Sequence, residues 1–120
     1  MNYPKKRFYF LRIIKEKNIS GDEYKVQLSN GIKVDFDMNG EWTQVEAGVA
    51  NQSVGSLFLP QISRDYLNKN YSEIGIKSID KDSRGIDVEL LNNIDLKFDL
   101  NGNFTCRLKK ASLRSFFCVL

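Results

Sequence analysis

The sequence predicts an α+β fold in which two tandem repeats form one antiparallel β-sheet of about seven to eight strands, with a helix packed on one face. Three observations support this fold class. A stretch of twenty residues recurs 62 positions further along the chain without a gap. In both copies apolar and polar residues alternate, which is typical of strands. Between the copies, apolar residues recur at helical spacing, which predicts one helix.

The repeat organises a chain of 120 residues. YKVQLSNGIKVDFDMNGEWT at 24–43 aligns with IDVELLNNIDLKFDLNGNFT at 86–105, and nine of the twenty positions are identical. Two copies are too few for a solenoid and suit a duplicated supersecondary unit. We therefore expect a single domain over residues 1–120. Its parts are repeat one at about 2–46, a linker at 47–58, repeat two at about 59–108 and an atypical tail at 109–120.

The apolar pattern decides the register of the first hairpin in copy one. A three-residue loop over 29–31 pairs Tyr24 with Phe36 and keeps the apolar residues on one face, whereas a two-residue loop would pair apolar with polar residues. The same register sets Lys25 opposite Asp35, which is a favourable cross-strand charge pair. The sequence therefore predicts both the loop length and an ion pair.

Copy two gives an independent check of this register. Asp87 faces Lys97 in the equivalent hairpin, which is the same ion pair with its signs exchanged. Three-residue hairpins of this kind end in a left-handed residue, and Gly31 and Asn93 occupy that position. The two copies therefore predict the same hairpin geometry.

A second turn with the sequence D-x-N-G follows the hairpin in each copy, at 37–40 and 99–102. The glycine suits a left-handed position, and the aspartate is placed to accept a hydrogen bond from a turn amide. Each copy is therefore predicted to be a three-stranded meander. Thr43 and Thr105 fall on the third strands of the two copies, and alternation assigns both to the polar face.

The segment that precedes copy two predicts a helix over about 60–70. Pro60 suits a first helical turn. An apolar stripe of Leu59, Ile62, Tyr66 and Leu67 is predicted to pack against the sheet. Residues 74–79 then predict a strand that leads into the meander.

Copy one lacks this helix in the sequence. Residues 8–14 are predicted to be its lead-in strand, followed by a longer loop to Tyr24. A missing helix should leave apolar sheet surface exposed near Tyr24, Val34 and Phe36. Either self-association or the tail could cover that surface, the tail through Leu113, Phe116, Phe117 and Val119.

Charge and composition exclude several classes of function. The ends are basic, with six Lys/Arg and one Glu in 1–17 and four basic residues in 103–120, whereas 18–102 has 8 basic and 14 acidic residues. A nucleic-acid binder would carry its basic charge on the folded body, so we expect no nucleic-acid partner. No apolar run approaches the roughly 18 residues of a membrane span. Cys106 and Cys118 could pair, but their spacing does not require it.

The stretch DFDMNGEWTQVE at 35–46 has the spacing of an EF-hand calcium loop. The candidate ligands are Asp35, Asp37, Asn39 and Glu46. Its flanks alternate like strands, however, and copy two places Lys97 and Leu108 at the first and last ligand positions. We interpret the stretch as a strand, a turn and a strand, and calcium binding as the alternative.

The chain contains no histidine, which removes the commonest general base and every His-activated nucleophile. Glu89 and Asp95 face each other in the predicted register, and like charges so placed can perturb a pKa. No phosphate loop, metal-ligand spacing or nucleophile motif accompanies them. We therefore expect a non-enzymatic protein with no catalytic residues and no cofactor, and an enzyme of unrecognised type is the alternative.

The motifs together resemble a bacterial family, the beta-lactamase-inhibitor-like, PepSY-like proteins. They are L-P-x-I-x-x-x-Y-L-x-K-N-Y at 59–71, Y-x-V-x-L-S-N-G at 24–31 and F-D-x-N-G-x-W at 36–42. The resemblance covers about residues 2–106. It implies two α–β repeats in one antiparallel sheet whose second face is open. It also implies export to the periplasm or cell exterior, although neither a signal peptide nor a first helix is found in this sequence.

The family name refers to the fold of an inhibitor that binds a beta-lactamase through its concave sheet. The resemblance carries no catalytic residues and does not imply inhibition for this chain. The open polar face of the sheet is the expected binding surface for a protein or peptide partner. Its candidate residues are Lys25, Gln27, Lys33, Asp35, Thr43, Asp87, Glu89, Asp95, Lys97 and Thr105.

Overall fold

The computed structural model describes the backbone of residues 13–19, 23–110 and 116–119, and the side chains of 24–108. In this part of the chain one antiparallel sheet contains nine strands, arranged in chain order. The strands are β1 (Ile13–Ile19), β2 (Glu23–Leu28), β3 (Lys33–Asp37), β4 (Trp42–Glu46), β5 (Ile76–Asp82), β6 (Gly85–Leu90), β7 (Asp95–Phe98), β8 (Phe104–Lys110) and β9 (Phe116–Val119). One helix, α1 (Gln61–Asn70), lies between β4 and β5. The predicted α+β class with an antiparallel sheet is confirmed.

Both predicted hairpin registers are confirmed. Tyr24 pairs with Phe36 and Lys25 with Asp35 across β2 and β3. The equivalent pairs across β6 and β7 include Asp87 with Lys97. Alternation of period two and a three-residue loop were therefore enough to fix the register.

The two residues at the loop ends have the predicted left-handed backbone. Gly31 has a φ of 94° and Asn93 a φ of 69°. A short polar side chain tolerates this region, so asparagine can replace glycine in copy two.

The D-x-N-G turns also form as predicted. Asp37 Oδ1 accepts hydrogen bonds from the backbone amides of Asn39 and Glu41 at 2.9 and 3.0 Å. Asp99 Oδ1 accepts the equivalent bonds from Asn101 and Asn103 at 3.0 and 2.9 Å. The aspartate therefore organises each turn by satisfying two amides.

Each third strand contains a bulge that alternation alone does not predict. Phe36 pairs with Trp42 but Asp35 pairs with Gln44, so Thr43 is an extra residue in β4. Thr105 is the extra residue in β8, because its neighbours pair with Phe98 and Lys97. Beyond each bulge, every side chain lies on the face opposite to the one that simple alternation would give.

Helix α1 begins after Pro60 and ends at Asn70, as predicted. Its buried residues are Ser63 and Leu67, and Ser63 Oγ donates a hydrogen bond to the Gly102 carbonyl oxygen at 2.7 Å. The prediction that Ile62 shares the buried stripe is wrong, because its side chain is 51% exposed. The buried line of the helix runs through Ser63 and Leu67, and Ile62 lies one position to its side.

Tyr66 joins the helix to repeat two through aromatic contacts. Its ring stacks on Phe104 with 4.4 Å between centroids. It also meets the edge of Phe98 at 5.7 Å. Phe98 is fully buried, so the helix and β7 share one side of the core.

The segment 47–58, predicted to be a linker, is tied to repeat one. Gln52 accepts a hydrogen bond from the Gly48 amide at 2.9 Å and donates one to the Asn30 carbonyl at 2.8 Å. Phe58 packs edge-on against Trp42 with 5.5 Å between centroids. The segment therefore contributes to the core as well as connecting the repeats.

The expected apolar exposure in repeat one is only partly present. Tyr24 is 46% exposed, but Val34 is 3% exposed and belongs to the core cluster. Val54 and Phe58, from the segment 47–58, pack against that cluster. The expectation is wrong for Val34, because this segment adds apolar side chains on the helix side of the sheet.

The lead-in strands and the tail differ from their predictions. Strand β1 occupies Ile13–Ile19 and so extends past the predicted end at 14, and only three residues separate it from β2 where a longer loop was predicted. The remainder of the predicted strand, residues 8–12, lies outside the described residues. Strand β5 begins at Ile76 rather than at 74. The backbone of β9 pairs with β8, at the opposite edge of the sheet from β2, so it does not fold back over repeat one. Leu113 lies outside the described residues.

Candidate functional site

The candidate site is the open face, which we define as the sheet face opposite α1. Strand pairing places its side chains in two rows that cross the sheet from β2 to β8. The first row is Lys25, Asp35, Gln44, Asp80, Asp87, Lys97 and Cys106. The second row is Gln27, Lys33, Glu46, Ser78, Glu89, Asp95 and Leu108. Eight of the ten predicted binding residues lie in these rows.

The two predicted residues outside the rows are the bulged threonines. Thr43 Oγ1 donates a hydrogen bond to the Asp35 carbonyl at 3.4 Å. Thr105 Oγ1 donates the equivalent bond to the Lys97 carbonyl at 2.9 Å. Neither threonine has a position of its own in the rows, because the bulge makes each one an extra residue that opposes no single partner residue.

Sequence reasoning missed four residues of the rows that lie at their centre. They are Gln44, Glu46, Ser78 and Asp80. A signal for the β4 pair was present, because Trp42 and Val45 are three residues apart and cannot share a face without a bulge. Ser78 and Asp80 were missed because β5 lies outside the repeat.

The outer parts of the open face are cross-linked by ion pairs. Lys25 Nζ lies 2.7 Å from Asp35 Oδ2. Lys97 Nζ lies 3.2 Å from Asp87 Oδ1. These pairs confirm the sign exchange between the copies and hold the side chains against the sheet.

The centre of the open face is acidic. Glu46, Asp80 and Asp95 carry no ion pair within residues 24–108. Glu89 lies opposite Asp95 and pairs only distantly with Lys77, at 3.7 Å. The face therefore presents carboxylates that are not neutralised by its own lysines.

Two of these carboxyls have raised pKa values. Partial desolvation raises the pKa of Asp80, repulsion by Asp87 adds to the rise, and a Gln44 hydrogen bond opposes it. Partial desolvation also raises the pKa of Asp95, with repulsion from Glu89 next in importance. The predicted Glu89–Asp95 pair therefore exists and affects protonation as like charges should.

The open face is not flat and contains two grooves. A groove of about 580 Å³ runs from Gln44 and Asp80 to the Gly48–Asn51 turn. A smaller groove of about 310 Å³ lies over Asp80, Glu89 and Asp95. Carboxylates line both grooves, so the grooves suit a neutral or basic segment of a partner.

The open face ends in apolar residues at β8. Cys106 lies opposite Lys97 and is 1% exposed, and it is disulfide-bonded. Leu108 lies opposite Asp95 and is partly buried. The polar surface therefore stops before β8.

The four calcium candidates occupy a strand, a turn and a strand, as predicted. Asp35 pairs with Lys25, and one oxygen of Asp37 is already hydrogen-bonded to turn amides. No group of three or more His, Cys, Asp or Glu side chains able to hold a metal is found in the described part of the chain. Among the same residues, none of the helical segments has the length and hydropathy of a membrane span.

Comparison with known proteins supports the fold independently. A sequence profile of the family described as "Putative beta-lactamase-inhibitor-like, PepSY-like" matches residues 22–105. A comparison with curated proteins gave no match.

Three solved bacterial structures are similar to this chain. A "putative periplasmic protein of unknown function" from Bacteroides vulgatus has 28% identity and a TM-score of 0.69, over 86% of this chain and 83% of its own. A "putative calcium-regulated periplasmic protein" from Bacteroides thetaiotaomicron has 29% identity and a TM-score of 0.69, over 86% and 82%. A second "putative periplasmic protein" from B. vulgatus has 27% identity and a TM-score of 0.67, over 86% and 82%.

Proposed function

The chain belongs to the beta-lactamase-inhibitor-like, PepSY-like family, and from this premise we propose that it is a non-enzymatic protein that binds a protein or peptide partner on its open face. The observation that carries the proposal is the pair of polar rows that cross the sheet. A polar surface of this length on the side opposite the helix gives a partner many adjacent contacts, and the ion pairs reduce the side-chain ordering that binding requires.

The charge of the open face indicates the chemistry of the partner. Glu46, Asp80 and Asp95 lie near its centre without ion pairs in the described residues. A partner with basic side chains would relieve the repulsion among these carboxylates and speed association by electrostatic attraction. The partner is therefore a protein or peptide segment with basic residues at the point of contact.

We also propose that the protein acts in the periplasm or outside the cell. Support comes from the structural neighbours that are described as periplasmic. The disulfide at Cys106 agrees with an oxidising compartment. Fusion of the native gene to a reporter that is active only after export tests the location.

Partner capture with charge-reversed variants tests the binding proposal. Asp80→Lys together with Asp87→Lys reverses two adjacent positions of the first row, and we expect the captured partner from a periplasmic extract to be lost. Asp65→Lys is the matched control, because Asp65 is exposed on α1 and away from the open face. Circular dichroism confirms that each variant folds. Equal capture by the double variant and the wild type would contradict the proposal.

Calcium binding is a second candidate, favoured by the description of one structural neighbour as calcium-regulated. Asp35, Asp37, Asn39 and Glu46 are the residues that the sequence spacing supplies for it. Calorimetric titration of the protein with calcium tests this function. Micromolar affinity that is lost in Asp37→Asn would support it.

A further inference from the structure

A separate cleft, distinct from the two grooves of the open face, lies on the helix side of the sheet. It has a volume of about 530 Å³ and is bounded by residues 53–57, by α1 and by residues 71–76. None of the residues in the two polar rows lines it. Its size falls within the range of small-molecule sites.

The walls of this cleft are fixed by hydrogen bonds. Ser53 Oγ accepts a bond from the Ile76 amide at 3.0 Å. The Val54 amide donates to the Ile76 carbonyl at 2.9 Å. Opposite them, α1 is held by the Ser63–Gly102 hydrogen bond at 2.7 Å. The cleft is therefore preformed.

Arg64 lines the cleft without a partner among the residues that the structure describes. It is half-buried, and its Nε is shielded from solvent with no hydrogen-bond acceptor among the described residues. It takes part in no ion pair within residues 24–108. A shielded guanidinium nitrogen without an acceptor is unfavourable, and each such group in a folded protein requires an explanation.

We propose that the cleft binds a small molecule with a carboxylate group, held by Arg64. The planar fork of a guanidinium matches a carboxylate in two parallel hydrogen bonds. Arg64 is the only Lys or Arg side chain among the described residues that line the cleft, so a singly charged anion fits it better than a phosphate.

Glu73 refines the class of ligand. It lines the same cleft, is exposed, and forms no ion pair within residues 24–108. An amino group on the ligand would meet this carboxylate while the ligand's own carboxylate meets Arg64. Ser53, Asn68 and Tyr71 supply further polar groups. The ligand class is therefore a free amino acid or a very short peptide.

Titration of the isotope-labelled full chain followed by NMR tests the site. The probes are glycylglycine, acetate and inorganic phosphate. We expect glycylglycine to give saturable shifts of the backbone amides at 53–57 and 71–76, with weaker acetate binding at the same place. Shifts that do not saturate, or that map to the open face, would overturn the proposal without any variant. Tighter binding of phosphate than of glycylglycine would overturn the ligand class.

Variants then assign the contact. Arg64→Gln should raise the dissociation constant of glycylglycine by about tenfold or more, because charge-assisted hydrogen bonds are lost. Arg64→Lys keeps the positive charge but not the planar guanidinium, so its dissociation constant should lie between those of the wild type and Arg64→Gln. Lys69→Gln is the control, because Lys69 is exposed on the same helix and does not line the cleft. Equal affinity in Arg64→Gln and Lys69→Gln would overturn the role of Arg64.

Glu73→Gln separates the two halves of the ligand. It should weaken glycylglycine severalfold and leave acetate unchanged, since acetate has no amino group. An equal change for both probes would contradict the zwitterionic assignment. None of these outcomes depends on the open face, so the cleft can fail while the proposed partner binding survives, and the reverse is also possible.

Discussion

The two copies of the meander have the same backbone geometry, but different positions of their third strands are buried. Val34 pairs with Val45 in copy one, and Leu96 pairs with Arg107 in copy two. Val45 is fully buried, whereas Arg107 is exposed. The same position, 62 residues apart, therefore serves the core in one copy and the solvent in the other.

The opposite faces of these strands are inverted in the same way. Gln44 and Glu46 are polar members of the open face, and their equivalents are Cys106 and Leu108. Strand β4 lies inside the sheet between β3 and β5, whereas β8 lies next to the edge strand β9. Turns and bulges fix the backbone in both copies, and the neighbouring elements decide which face must be apolar.

The largest difference in stability between equivalent substitutions in the two copies should appear at the phenylalanines Phe36 and Phe98. Phe98 is fully buried against Tyr66, so Phe98→Ala should lower the free energy of unfolding by about 3–5 kcal/mol. Phe36 is only partly buried, so Phe36→Ala should cost about half as much or less. Urea unfolding of both variants measures the comparison. Equal losses would show that repeat one is covered as completely as repeat two.

A smaller difference in stability should appear when the glycine of each D-x-N-G turn is replaced by alanine. Gly40 and Gly102 have φ values of 84° and 99°, so alanine at either position costs about 1–2 kcal/mol in backbone strain. A Cβ at Gly102 would also lie 2.6 Å from the Pro60 side chain, whereas one at Gly40 meets nothing within 4 Å. Gly102→Ala should therefore be the more destabilising by at least about 1 kcal/mol. Similar melting temperatures for both variants would mean that α1 shifts away at no cost.

The smallest difference in stability between the copies should come from the second cross-strand pair counted from each hairpin loop. Asp95 faces Glu89 in copy two, where copy one places Lys33 opposite Gln27. Because the folded-state pKa of Asp95 is raised, its ionisation destabilises the fold at neutral pH. Asp95→Asn should therefore stabilise the protein by a few tenths of a kcal/mol at pH 7.

The stabilisation by Asp95→Asn should depend on pH. The destabilisation by Asp95 is fully present above its raised folded-state pKa and is lost as the pH falls through the ordinary carboxyl pKa of about 4. The gain from Asp95→Asn should therefore shrink in acid, and thermal unfolding from pH 7 to pH 4 measures it. Lys33→Gln is the control: it removes a cation that lies opposite Glu46, so it should give no gain in stability at pH 7. A gain that grows in acid would refute the repulsion between Glu89 and Asp95.

The sequence was sufficient for features that depend on neighbouring residues. The register of Tyr24 with Phe36, the left-handed Asn93 and the amide bonds of Asp37 follow from alternation and turn chemistry, which act over a few residues. Helix α1 was predicted from Pro60 and the apolar spacing for the same reason.

Features that depend on distant packing were missed. Ile62 has helical spacing but lies beside the buried line, which only the position of Gly102 against Ser63 defines. Val54 and Phe58 stand in a polar segment with no period, so nothing local marks them as core. The cleft around Arg64, whose Nε has no acceptor in the described part of the chain, forms where three separate segments meet, and no local sequence pattern shows this.

The chain order of the strands has a consequence for how the protein folds. Each of the nine described strands pairs with its neighbour in sequence, so most of these pairings close short loops at a small entropic cost. Among the described strands, the pairing of β4 with β5 alone closes a longer segment, the one that contains α1. We expect each meander to form early and on its own, and the joining of β4 to β5 over the docked helix to limit the folding rate. Such a low contact order favours faster folding than that of a sandwich of equal size.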